Sequence, residues 1–214
     1  HSSVIMQTIK KYFPNLTQLQ IMQFEQLNQL YNHWNAAINV ISRKDIQNLY
    51  PNHVLHSLAL AEFLGPLETA TTLMDIGTGG GFPGIPLAIV YPQCRFHLID
   101  RIGKKLRVAS EVAKEIGLKN VTFQHGDVGE CREKFNYVVS RAVMPLNNLI
   151  RLVAKNISPR DAGNTYANGA VVLKGGDLTE ESKGICFPVI EYNINELFAE
   201  PQFETKKVVY VPIK

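Results

Sequence analysis

Thr72-Leu-Met-Asp75-Ile-Gly77-Thr-Gly79-Gly80-Gly81-Phe82-Pro83-Gly84 is the stretch that decides the fold. A short apolar run ends in an acid, and five of the eight positions from 77 to 84 are glycine. Glycine lets the backbone turn sharply and come close to a ligand with no Cβ in the way. Apolar residues resume at Ile85, so the loop joins a strand to a helix. In open α/β sheets, ligands settle in the crevice at the carboxyl ends of the strands. The loop therefore predicts both a sheet and the edge of it that works.

Moving outward, residues 95–100 form a second apolar run that also ends in an acid, Asp100. Residues 104–116 carry a helical pattern that stops at Gly117, and 120–124 read as a strand leading to Gly126-Asp127. Residues 135–140 and 169–174 are strand-like, with a helical pattern over 146–154 between them. Strands alternating with helices imply βαβ units and a mostly parallel sheet. Residues 187–197 and 203–213 are both β-rich and too close for a parallel crossover, so the sheet is expected to end in an antiparallel hairpin. The first 66 residues read as helices. Leu19, Met22, Phe24, Leu27, Leu30, Tyr31 and Trp34 recur at three- and four-residue steps, predicting one buried helix face. Ser42 suits the start of a short helix that Pro51-Asn52 would break, and a further apolar pattern runs from His53 to Leu64, ended by Gly65-Pro66. The expected division is a helical cap over 1–66 packed on an α/β domain over 67–214.

Gly79-x-Gly81-x-x-Gly84 formally matches the fingerprint that seats a dinucleotide pyrophosphate on a helix N-terminus. Three features oppose that reading. Asp75 would repel phosphate and suit a cationic ammonium; Pro83 removes a backbone N–H; and the terminal hairpin replaces a sixth parallel strand. A ligand with ribose and adenine but no phosphate, S-adenosylmethionine, fits better, and a nicotinamide dinucleotide is the alternative. Asp100, at its strand end, can accept hydrogen bonds from ribose hydroxyls, and Asp127 is placed to meet the adenine.

The 214 residues are 45% hydrophobic and 19% charged, an ordinary globular composition that excludes disordered and fibrous classes. The net charge of +3 is uneven: residues 95–160 carry thirteen basic and six acidic side chains. Arg101, Lys104, Lys105 and Arg141 fall in this segment beside the expected crevice, where they suit phosphates of a nucleic acid. Arg141 can also stack on a splayed base. Cys94, Cys131 and Cys186 form no CxxC pair, so no metal or dithiol site is expected. No run of 18 apolar residues occurs, so a cytoplasmic protein without a membrane anchor is expected. The cysteines also lack the setting of a pyrimidine-C5 nucleophile, and no Asn/Asp-Pro-Pro loop follows residues 135–140 for an exocyclic amine. A ring nitrogen with a free lone pair needs neither.

Together these residues resemble the GidB family of bacterial small-subunit rRNA guanine-N7 methyltransferases. The carriers are Tyr31-Asn32-x-Trp34-Asn35 with Asn39, His53-x-x-x-Ser57-Leu58, the run from Asp75 to Leu87, Asp100-x-x-x-Lys104-Lys105, Ser140-Arg141-Ala142 and Leu173-Lys174-Gly175. The resemblance implies a class I S-adenosylmethionine-dependent methyltransferase, Rossmann-like, with an N-terminal helical extension. It further implies a monomer acting on 16S rRNA or the small ribosomal subunit. By motif, Gly77, Gly79, Phe82, Val128, Gly129 and Arg141 would contact the cofactor with the three acids. Asn39, Arg141 and Lys174 would serve the catalytic centre at the target base, with Lys104 near its phosphates. His56 departs from the family's usual Asp at that position.

Overall fold

The computed structural model describes residues 2–141 and 143–213. Six α-helices and seven strands occur among them in this order: α1 (Ser2–Tyr12), α2 (Gln18–Ala37), α3 (His56–Leu64), β1 (Thr72–Ile76), α4 (Gly84–Val90), β2 (Arg95–Asp100), α5 (Gly103–Glu115), β3 (Val121–His125), β4 (Tyr137–Arg141), α6 (Leu146–Val153), β5 (Gly169–Gly175), β6 (Ile190–Asn193) and β7 (Lys206–Pro212). The sheet order is β3-β2-β1-β4-β5-β7-β6. The first five strands are parallel, and β7 runs antiparallel to both neighbours. The expected hairpin is present. Its second arm, not its first, joins the parallel strands, so β7 lies between β5 and β6.

Alternation along the strands sends residues to two faces. Leu73, Phe96, Leu98, Tyr137, Val139 and Val171 meet the helices α1–α5 in one apolar cluster. Met74, Ile76, Ile99, Val138, Ala170 and Val172 meet α6 in another. The α6 contacts are Leu146, Leu149, Ile150 and Val153, a stripe at helical spacing. The cap has no core of its own. Its buried Phe24, Leu27, Tyr31, Val54 and Leu58 belong to the cluster that also holds Phe96 and Tyr210.

Helix α2 starts with a capping box: the Thr17 hydroxyl accepts from Gln20 N, and the Gln20 side chain accepts from Thr17 N. Its buried face differs from the apolar stripe expected. Phe24, Leu27 and Tyr31 are buried, whereas Leu19 and Met22 are exposed and Gln20 and Gln23 take their place. The amides are there because helix ends leave carbonyls unpaired. Gln20 Nε2 donates to Ile89 O at 2.9 Å, at the end of α4. Gln23 Nε2 donates to Ile116 O at 2.9 Å, at the end of α5. Nor does Pro51 break the chain. Tyr50–Leu55 forms a π-helical turn that runs directly into α3, and Pro51 sits in its first turn, where no N–H partner is lost.

Candidate active site

Asp75 organises the glycine loop. It is fully buried, and its Oδ2 accepts from the Thr78 hydroxyl at 2.6 Å and from Gly84 N at 2.8 Å. The loop turns on glycines with left-handed backbone: φ is +63° at Gly77, +57° at Gly79 and +115° at Gly81. A Cβ on Gly77 would come within 2.5 Å of the Val143 side chain, and one on Gly81 within 2.5 Å of Ile85. The sequence expectation sets Asp75 against a ligand ammonium; in the structure its Oδ2 is spent on the loop, while Oδ1 is buried without a hydrogen-bond partner. Its carboxylate also fills the start of α4, where a dinucleotide pyrophosphate would have to sit.

Burial pushes the Asp75 carboxyl up to about 7. The folded protein then holds a proton that the unfolded chain releases near pH 4, so this group's contribution to stability falls as pH rises from about 4 to 7. The Asp75→Asn variant keeps an acceptor for Thr78 and Gly84. Its unfolding free energy is expected to depend less on pH across that window than the wild type's, by up to about 1.4 kcal/mol per pH unit, measured by denaturant unfolding at a series of pH values.

A cleft of about 630 Å³ opens at the carboxyl ends of β1, β2 and β4, walled by Ile76, Ile99, Ile102, Val128, Val143 and Leu152. Gly77, Asp100 and Asp127 line it among these apolar walls. Asp100 Oδ2 accepts from Gly79 N at 2.7 Å and Oδ1 from Ile102 N at 2.7 Å. Each oxygen keeps a lone pair, so the carboxylate can take the two hydroxyls of a ribose. Asp127 caps the short turn Val128–Glu130, its Oδ1 accepting from Gly129 N at 2.9 Å. The walls suit a planar purine, and the donors and acceptors at its rim suit a nucleoside.

At the end of β4, Arg141 leaves on the cap's side of the sheet. Its guanidinium lies over the Phe82 ring, 5.5 Å from the centroid, and Nη1 donates to His53 Nδ1 at 2.7 Å. Phe82 is buried and packs on Tyr31 and His53, with ring centroids 4.9 and 5.5 Å away. The Tyr31 hydroxyl donates to Gly80 O at 2.7 Å. Phe82 is thus not a wall of the cleft; it is the surface on which the cap, the loop and Arg141 meet. In the sequence Tyr31 stands on an apolar helix face and in the Tyr31-Asn32-x-Trp34-Asn35 motif, with no sign of its bond to the loop. The signal for its second role is a phenol among apolar neighbours, which must find a partner when buried.

The remaining expected residues scatter. Lys174 follows the alternation of β5 onto the α6 side, opposite Arg141. Its ammonium is buried, 2.8 Å from Glu181 and bonded to Met144 O. It ties the segment after β4, whose Met144 lines the cleft, to the segment after β5. Lys174→Met is expected to cost about 2 kcal/mol of stability by taking the cation from Glu181, which keeps only the Leu146 N–H, and the donor from Met144 O, read as a lowered denaturation midpoint. Asn39 is exposed and lines a separate polar hollow with Asn35 and Arg43. Its neighbour Val40 packs against Gly80. Arg101 is exposed on the cleft rim. Lys104 is exposed and Lys105 half-buried in the first turn of α5. Gly129 is exposed beside buried Val128. Ala142 lies outside the described residues.

A family model described as rRNA small subunit methyltransferase G matches residues 20–183. The chain belongs to that family. Similar curated proteins bear the same name, ribosomal RNA small subunit methyltransferase G. The one from Bacteroides fragilis is 55% identical over 97% of this chain and 100% of its own length. The one from Flavobacterium psychrophilum is 51% identical over 98% and 99%. Solved structures support the fold. A SAM dependent methyltransferase from Aquifex aeolicus aligns at a TM-score of 0.53 with 15% identity, covering 80% of this chain and 98% of that one. The YcgJ protein of Bacillus subtilis aligns at 0.54 with 13% identity over 75% and 99%. The sheet is thus that of a class I, Rossmann-like methyltransferase. The family match spans the glycine loop, Asp100, Arg141 and the π-turn that carries His53.

Proposed function

We propose that this protein transfers a methyl group from S-adenosylmethionine to N7 of a guanine in 16S small-subunit rRNA. The observation that carries this is the pairing of a nucleoside-shaped cleft, anchored by Asp100, with Arg141 at the end of β4, two residues before Val143 of the cleft wall. When bound, S-adenosylmethionine supplies an electrophilic methyl group on a sulfonium. The chain's residues do the rest. Asp100 holds the ribose diol, the apolar walls hold the adenine and exclude water, and the glycine backbone permits close approach. Asp127, Val128 and Gly129 border the adenine edge. Arg141 keeps free N–H donors and a flat face for a splayed guanine or its phosphate. Guanine N7 carries an in-plane lone pair, so no general base is required. Catalysis then rests on positioning and electrostatics.

Arg101, Lys104 and Lys105 supply phosphate contacts along one edge of the cleft. Among the described residues no helix is long and apolar enough to cross a membrane. The proposed partner is the rRNA or the small ribosomal subunit, met by a monomer in the cytoplasm. The test is mass-spectrometric mapping of small-subunit rRNA that lacks the modification, incubated with protein and cofactor: 7-methylguanosine should appear at one site. A melting temperature raised by NAD and not by S-adenosylmethionine would overturn the assignment.

A further inference from the structure

We infer that His53 is a positioning residue for Arg141: its neutral imidazole fixes the guanidinium over the Phe82 ring at the place where the target RNA arrives. The inference rests on the reading of Arg141 given above and names the part that makes that side chain usable.

The geometry constrains the chemistry closely. Arginine only donates, so the 2.7 Å contact from Arg141 Nη1 requires a lone pair on His53 Nδ1. The ring is therefore neutral, with its proton on Nε2. Asp45 Oδ2 stands 3.9 Å from Nε2, beyond hydrogen-bond length. Burial, and then the neighbouring Arg141 charge, push the imidazole down to about 4, so it stays neutral throughout the physiological range. A carboxylate at this place would hold the guanidinium as well but would cancel its charge. A neutral acceptor fixes the side chain and leaves the positive charge for RNA.

The backbone is built for the same end. His53 lies in the π-helical turn Tyr50–Leu55. Such turns are rare and are frequent at functional sites. The Ser57 hydroxyl donates to His53 O at 2.6 Å, which explains the His53-x-x-x-Ser57 spacing. One flank of the imidazole packs on Phe82, 5.5 Å between centroids, the same ring that carries Arg141. Carbonyl, ring and Nδ1 are thus each committed, and Nε2 is the one polar atom of the side chain left without a hydrogen-bond partner.

The test is a double-mutant cycle on turnover with unmethylated small-subunit rRNA, with S-adenosylmethionine affinity and melting temperature measured in parallel. His53→Phe keeps a ring on Phe82 and removes the acceptor. It should cut turnover about 10- to 100-fold, the size of a direct coupling, with cofactor affinity unchanged. His53→Asn, whose Oδ1 can replace Nδ1, should restore most of that loss. Adding Arg141→Ala to His53→Phe should cost little more than Arg141→Ala alone. Losses that multiply, or His53→Phe at wild-type turnover while Arg141→Ala is inactive, would overturn the positioning role and leave the reading of Arg141 intact. Wild-type turnover in Arg141→Ala would remove both.

Discussion

Arg141→Ala should lower turnover on small-subunit rRNA by about 100-fold or more, the scale of one well-placed electrostatic group at a reacting centre. S-adenosylmethionine should bind as before. The reasoning follows the side chain's address. It lies on the cap side of β4, off the cofactor walls, and its contacts are His53 and Phe82. Truncation leaves His53 Nδ1 buried without a donor, a stability cost of about 1–2 kcal/mol, too little to unfold the chain. Arg141→Lys should not rescue, because a point charge has neither the flat face nor the fork that spans imidazole and substrate. Single-turnover methylation, beside calorimetric cofactor binding and a melting curve, separates these effects.

Asp100→Ala should act on the other half of the site. Removing two charge-assisted hydrogen bonds to a ribose is worth about 3 kcal/mol, or about 100-fold in S-adenosylmethionine affinity. The same change frees Gly79 N and Ile102 N, so the loop loses its tie to β2 and the melting temperature should also drop. Asp100→Asn should weaken binding too. It retains the shape, but its amide turns one acceptor into a donor that must face a backbone N–H. Isothermal titration with the cofactor reads both variants; affinity that survived in Asp100→Ala would remove this residue from the nucleoside site.

The alternating strands and helices, the glycine turn and the acid at the end of β2 were legible in the sequence because each is a local pattern. The hairpin was legible as well, but not the position of β7 between β5 and β6, since pairing partners are set by long-range packing. Lys174 illustrates the same limit. Its place in a motif suggested a role at the target base, yet strand alternation puts its ammonium on the face opposite Arg141, against Glu181. Asp75 and Phe82 stand in the most conspicuous loop of the chain, and both turn inward to shape it. Gln20 and Gln23 were hidden by their polarity: a pattern of apolar spacing has no place for an amide buried to cap another helix. The π-turn at Tyr50–Leu55 was concealed by Pro51, which reads as a stop.

The apolar cluster that runs from the cap through the upper face of the sheet bears on how the molecule comes apart. Two modules with separate cores melt in two steps; here Phe24, Val54 and Leu58 share one core with Phe96 and Tyr210. Opening either half exposes the other, so there is no partly unfolded form of low cost between them. Calorimetry should record one transition, and the amides of α2 should exchange with deuterium as slowly as those of β1. The residues that aim Arg141 and the sheet face they pack on then share a single threshold: the cap cannot loosen around Arg141 without loosening the sheet beneath it.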